Sequence, residues 1–296
     1  MQALWVLVAT FCSALAFACV KLSGTSYAFY EVCLVRAVYL LAVTATLAIY
    51  RRTNFKTQNP LLHLVRCAAG VSATSLNLVA IQHIALGTAQ TLFNTAPLFA
   101  CAWVLVRTRL SSRHDYCLAG SVLFGFIGVY LVLQPSFTGD SLIYVLCGLA
   151  AGITYGTAQI CLRRLGAARE PVCRTAFYYA CAMLLYAAFL TGFLSSKSLI
   201  EIFFNPVMLC VGLFSVLAQL AQTQGWGKGK TLLCANLQFS AILFSVMLGW
   251  LLFDETFSVE MYLGIAVIIL SESIAIRIQF RQYSDFCKKD SVCLHR

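Results

Sequence analysis

Charge is scarce in this chain. Only 11% of its 296 residues are charged, and no Asp or Glu occurs between Glu31 and Asp115. A soluble domain carries about 25% charged and about 45–50% apolar residues. Here 60% of residues are hydrophobic and the mean hydropathy is +0.83. That shortage of charge excludes a cytosolic enzyme, a secreted disulfide scaffold and a disordered chain. Proline is scarce too, and only Pro97 falls inside an apolar run. There is no H-E-x-x-H and no G-x-S-x-G, and His63, His83, His114 and His295 lie near segment ends or in the tail. An intramembrane enzyme acting on lipid or isoprenoid would need clustered acids or histidines, and none is present. No basic residue precedes the first apolar run, so that run is expected to be a retained helix rather than a signal peptide.

What the sequence does have is long apolar runs. A bilayer core of ~30 Å needs about 20 apolar residues in a helix. Ten segments qualify, roughly 3–20, 28–50, 64–82, 88–106, 115–133, 141–162, 174–194, 206–224, 231–253 and 259–276. The runs are continuous rather than alternating, which excludes a barrel. Cysteine is plentiful, 14 in all, and those from Cys12 to Cys234 lie in or beside the apolar runs as small hydrophobes. Cys287, Cys293 and His295 offer three ligands where a zinc site needs four. No metal or prosthetic group is expected.

The basic residues alternate from one connection to the next. One set holds Arg51, Arg52 and Lys56, then Arg107, Arg109 and Arg113, then Arg163, Arg164, Arg169 and Arg174, then Lys228 and Lys230, then the tail from Arg277. Arg66, at the start of the third segment, belongs to the same side. The opposite set holds only Lys21 and Lys197. Loops rich in Lys and Arg stay in the cytoplasm. Both termini are therefore expected inside, in the cytoplasmic (inner) membrane. The same distribution accounts for the net charge of +10 without nucleic acid. Gly225-Trp226-Gly227-Lys228-Gly229-Lys230-Thr231 looks like a phosphate loop but lacks the first glycine, since position 224 is Gln224. It is expected to be a short cytoplasmic turn.

Polar side chains inside the runs are the candidate chemistry. Arg36 lies about eight residues into the second segment, ~12 Å deep at 1.5 Å per residue. A charge there needs a partner or a purpose. Three readings stand: an anchor for an anionic group of a solute, an internal ion pair, most simply with Glu31, or a side chain that snorkels to the interface. Glu31 is five residues away, a poor intrahelical spacing, and is also the candidate for proton coupling. Gln90, Asn94, Tyr155, Gln159, Gln219, Gln222 and Gln238 are candidate substrate-binding residues, with Asn77 and Asn236 also inside segments. Gln219 and Gln222 share a helix face. Either a solute cavity or interhelical hydrogen bonding would account for them. Gly148, Gly152 and Gly156 form a small-residue stripe that lets two helices approach closely.

Residues 88–133 and 231–276 share one pattern of two helices around a short polar break. Two copies of five helices would have opposite orientation, and inverted repeats place a site near the bilayer midplane. Ala218-Gln219-Leu220, Leu237-Gln238-Phe239, then Leu248-Gly249-Trp250-Leu251-Leu252-Phe253-Asp254-Glu255 resemble the second EamA-type repeat of the drug/metabolite transporter superfamily. Pro97-Leu98-Phe99, Arg36 and Gly264 resemble positions of the same family. The first repeat departs from the pattern, with Arg107-Thr108-Arg109-Leu110 where a glutamate is usual. Glu31, Val32, Arg36, Phe55-Lys56-Thr57, His63 and Arg66 are similar to the S-adenosylmethionine carriers of intracellular bacteria.

The expectation is an all-α integral membrane protein with ten transmembrane helices as two inverted five-helix repeats. The repeats would cover 1–134 and 135–280, with a cytoplasmic tail at 281–296. The resemblance implies a secondary transporter, exchanger or facilitator, for a small polar metabolite that is S-adenosylmethionine-like or amino-acid-like. Its partners would be that small molecule and the lipid bilayer, not nucleic acid, with the chain a monomer or homodimer. A passive channel is the remaining alternative.

Overall fold

A computed structural model of the chain describes residues 2–23, 26–84, 86–96, 99, 113–133, 142–195, 197–253 and 259–293. Every regular element among them is helical. The helices are α1 (Trp5–Leu22), α2 (Phe29–Tyr50), α3 (Pro60–His83), α4 (Leu86–Phe93), α5 (Arg113–Leu133), α6 (Leu142–Ala167) and α7 (Val172–Leu194). They continue as α8 (Leu199–Phe204), α9 (Pro206–Lys228), α10 (Thr231–Leu237), α11 (Ser240–Phe253) and α12 (Val259–Cys293). Among the described residues, seven helical stretches are long and apolar enough to cross a membrane, α10 and α11 counting as one. The protein is therefore a multi-pass, all-α membrane protein.

Local chemistry sets several of the helix ends. Pro60 and Pro206 open α3 and α9, where a missing backbone N–H is harmless. Asn205 caps α9, its Oδ1 accepting from the Val207 N–H at 2.9 Å. Glu31 reaches back to accept from the Ala28 N–H at 2.9 Å, closing the first turn of α2. Leu185, Phe189, Phe193, Leu213 and Trp250 are exposed. In water such a surface would be a liability, but against lipid it is the expected exterior.

The helices pack in pairs: α1 with α9, α2 with α7, α3 with α6, and α5 with α12. Two apolar clusters fill the interior. One gathers Leu118, Trp226, Phe239 and Ile268. The other gathers Val35, Leu78, Met183 and Met208. The glycine stripe of α6 faces α4: a Cβ on Gly152 would run into the Leu92 carbonyl and Thr95 Oγ1, and one on Gly148 would lie 2.9 Å from Leu92. The close approach expected from those glycines is present.

Four expectations need correction or bounding. The ninth segment, 231–253, is not one helix. After Leu237 the backbone tightens through Gln238 and Phe239, with Phe239, Ala241 and Ile242 N–H bonding three residues back. The Leu237 carbonyl is taken instead by Ser240 Oγ at 2.6 Å. The fourth segment likewise breaks: α4 ends at Phe93 and turns at Asn94 and Thr95. Beyond that, Pro97, Leu98, Arg107 and Arg109 lie outside the described residues, as do Asp254 and Glu255. Gly225 to Lys228 is the last turn of α9 rather than a loop, because the glycines pack rather than turn. Finally, α12 runs to Cys293 for 35 residues, so the tail from 281 begins as a continuation of that helix.

Candidate functional site

Eight sequence-predicted residues meet at one cavity. Arg36 comes from α2, Gln90 and Asn94 from α4 and its turn, Tyr155 and Gln159 from α6, Gln219 and Gln222 from α9, and Gln238 from the interruption between α10 and α11. The cavity volume is about 60 Å³. By the space a water needs, that holds on the order of four waters. A metabolite-sized solute would require the walls to part.

Gln238 organises the inner wall. Its Oε1 accepts from Gln222 Nε2 at 3.1 Å, from Gln159 Nε2 at 3.4 Å and from Trp226 Nε1 at 3.4 Å. The interruption matters here, because it turns this amide toward α6 and α9. Gln159 Oε1, Gln90 Nε2, Asn94 Oδ1 and Asn77 Oδ1 are buried and lack a hydrogen-bond partner among the described residues. Buried amide atoms of this kind are normally satisfied. Asn236 lies away from the cavity: its Oδ1 is also unpaired among the described residues, while its Nδ2 donates to Ser271 Oγ at 2.7 Å in a network with Ser121. It ties helices together, as the interhelical reading holds.

A second arginine, Arg66, shares the cavity with Arg36. By sequence alone it counts among the loop charges. The structure starts α3 at Pro60, so Arg66 sits more than one turn inside the helix and is 3% exposed. Its guanidinium lies 4.3 Å from the centroid of the Tyr179 ring, and Thr74 Oγ1 lies 3.0 Å from the Tyr179 hydroxyl. Arg36 lies 5.9 Å from the Phe17 ring centroid. Arg36 Nη1, Arg66 Nε and Arg66 Nη1 are buried without a hydrogen-bond partner among the described residues. The early helix start signalled by Asn59-Pro60 could have revealed Arg66. Tyr179 and Thr74 left no signal in sequence.

Glu31 is not the partner of Arg36. Its carboxylate accepts from the Ala28 N–H and from Ser195 Oγ, outside the cavity lining. With that contact, Tyr30 OH donating to the Leu194 carbonyl and Lys197 Nζ donating to the Ser26 carbonyl, α2 is fastened to the end of α7. The opposite end is fastened around Glu170. Thr57 Oγ1 donates to its Oε1 and Arg174 Nη1 to its Oε2, both at 2.6 Å. Arg174 Nε also donates to the Asn54 carbonyl at 2.7 Å. Burial pushes the Glu170 carboxyl up; the bonds from Thr57 and Arg174 and the Arg174 charge outweigh it and leave it below the usual carboxylate range. Contacts among α2, the segments flanking it, and α7 thus fasten the bundle at both ends.

Among the described residues no group of three or more His, Cys, Asp or Glu could hold a metal ion. The arrangement offers hydrogen bonds, aromatic faces and positive charge. It is suited to holding a solute.

No protein-family profile matches the chain. A crystal structure superposes with a TM-score of 0.73 at 17% identity, covering 92% of this chain and 98% of its own, which is a likeness of fold. A riboflavin transporter of Brucella anthropi is 22% identical over 241 residues, 78% of this chain and 82% of that protein. The apolar helices and that similarity together support a membrane transporter.

Proposed function

We propose that the chain is a secondary transporter, exchanger or facilitator, that carries a small polar organic metabolite by alternating access. The observation that carries this reading is the convergence of eight polar side chains on one cavity inside an apolar bundle. Uncharged amides at that depth have no use for lipid, and a solute supplies the partners they lack.

The packing pairs support two inverted halves, 1–134 and 135–280, followed by the tail at 281–296. If α1, α2, α3 and α5 correspond to α6, α7, α9 and α12, exchanging the halves turns the α1–α9 pair into α6–α3 and leaves α2–α7 and α5–α12 unchanged. The interruptions at Asn94-Thr95 and Gln238-Phe239 fall at matching places in the halves. Broken helices at a midplane site are a recurring transporter device. This layout agrees with the drug/metabolite transporter resemblance and with both termini facing the cytoplasm.

The test is counterflow in proteoliposomes. Vesicles are preloaded with one unlabelled compound, and uptake of the same labelled compound is measured. Riboflavin, riboflavin 5′-phosphate, S-adenosylmethionine and succinate head the panel, followed by amino acids and nucleosides. Saturable uptake stimulated by the compound inside is the expected result. Uptake without saturation would replace the carrier by a channel. No flux of any compound through folded, inserted protein would overturn the reading.

A further inference from the structure

Resting on the transporter reading, we propose that the solute is an organic dianion, a phosphate monoester or a dicarboxylate, whose two negative charges Arg36 and Arg66 hold. Both guanidinium groups line the cavity, and the lining contains no Asp, Glu, Lys or His among the described residues. Two acids flanking the neighbouring helices are engaged elsewhere. Glu31 closes the α2 end with Ala28 and Ser195, and Glu170 holds Thr57 and Arg174. Between Glu31 and Asp115 the sequence offers no acid. A buried and a half-buried positive charge with no counter-charge lining their cavity among the described residues are disfavoured in a low-dielectric interior. An anion entering from outside the chain removes that penalty.

The geometry of the arginines fits the same role. The Arg66 guanidinium lies over the Tyr179 ring, and that of Arg36 lies over the Phe17 ring at a longer distance. Arg66 Nε and Nη1 are both without partners among the described residues and stay open to a ligand. A planar fork of this kind pairs two-pronged with carboxylate or phosphate. Arg36 Nη1 is free in the same way. The unpaired amide atoms, Gln90 Nε2, Asn94 Oδ1 and Gln159 Oε1, then bond the uncharged remainder of the solute. A solute with a fixed positive centre, such as S-adenosylmethionine, would meet like charge with no acid to offset it.

The experiment uses the purified full chain. Thermal unfolding in detergent is followed with chloride, inorganic phosphate or succinate at matched ionic strength, and with riboflavin against riboflavin 5′-phosphate, which differ by one phosphate monoester. At a hundredfold excess over Kd a bound dianion should raise Tm on the order of 5 °C. A larger shift with phosphate and the 5′-phosphate identifies a phosphoryl solute, and a larger shift with succinate a dicarboxylate. Arg36→Lys and Arg66→Lys keep the charge and lose the fork, so about tenfold more dianion should be needed. Equal shifts with chloride, or shifts unchanged in Arg36→Gln and Arg66→Gln, overturn the proposal. Where a variant fails to fold, the wild-type chain decides: unlabelled dianions must inhibit counterflow more than chloride does. Dianion-specific stabilisation with no flux of any compound upholds the site and overturns transport. Saturable counterflow of a neutral solute that dianions leave untouched upholds transport and overturns the dianion.

Discussion

The Tyr179 ring and the Arg66 guanidinium lie 4.3 Å apart, ring centroid to Cζ, in the interior of the bundle. A helix from each proposed half meets there, α3 carrying the cation and α7 its aromatic platform. A desolvated cation–π contact contributes up to about 2 kcal/mol. Tyr179→Leu should therefore raise the half-saturation concentration for transport about tenfold. Tyr179→Phe keeps the platform and loses only the bond with Thr74, so its effect should stay below about threefold, at ~0.6 kcal/mol or less. Equal losses in the two variants would show that the hydroxyl, not the ring, serves the site.

Gly70 makes room for that arrangement. A Cβ there would collide with Arg66 Nη1 and approach Tyr179 Cε2 to 2.9 Å. Gly70→Ala should shift the guanidinium and cost about 1–3 kcal/mol of stability through overpacking. Transport kinetics and thermal unfolding of the same preparation check it. A variant with unchanged half-saturation would mean that the Arg66 side chain is free to lie elsewhere.

Much of the site was legible because its residue types contradict their surroundings. Arg36 and the glutamines stand out in apolar runs, and the structure gathers them at one cavity. Arg66 was not legible in the same way, since a basic residue near a segment end is also what topology requires. The helix interruption at Gln238-Phe239 carries neither proline nor glycine, so no local breaker announces it, whereas Pro97, two residues after Thr95 in the sequence, is a breaker beside the one at Asn94-Thr95. They form because side-chain hydroxyls, such as Ser240 Oγ on the Leu237 carbonyl, take over freed backbone groups. The Glu170 clamp joins positions 113 residues apart, a distance no local pattern spans.

Gln238 predicts a cooperative loss. Replacing it with Leu leaves Gln159, Gln222 and Trp226 without the shared acceptor. An unsatisfied buried donor costs about 1–3 kcal/mol. Gln238→Leu should lower stability by at least that range's lower end and weaken transport, whereas Gln222→Leu removes only one donor and should cost less. Thermal unfolding of the two variants in one detergent makes the comparison.

Glu170 gives the clamp a pH dependence. Its folded-state pKa lies below the ordinary carboxylate value. A depressed carboxylate contributes stability above its unfolded pKa of about 4.3, and that contribution is lost as pH falls through the lower, folded value. Hydrogen bonds to a charged group contribute about 1.5–3 kcal/mol. Glu170→Gln should therefore be less stable than wild type at neutral pH, with the gap closing in acid. Stability measured from neutral pH downward in a His63→Gln background, which removes the imidazole 3.8 Å from the Glu170 carboxylate, tests this; a gap that widened on acidification would assign the clamp to another group.

Two glycines in long helices should answer the same substitution with opposite signs. Gly166 lies where α6 crosses α9, and a Cβ there would overlap the Gly227 carbonyl oxygen. That atom belongs to a helix backbone and has no rotamer by which to move away, so Gly166→Ala must push α6 and α9 apart or fail to fold. The expected loss is at the upper end of overpacking, about 3 kcal/mol. Gly192, in the last turns of α7, faces open space: no described atom of another element lies within 4 Å of where its Cβ would stand. There Gly192→Ala restricts the unfolded chain without disturbing the folded one, and should add about 0.5–1 kcal/mol. Unfolding temperatures of the two variants, prepared side by side, decide whether the α6–α9 crossing is as close as described. Tolerance of Gly166→Ala with no fall in stability would place the helices farther apart at that end of the cavity.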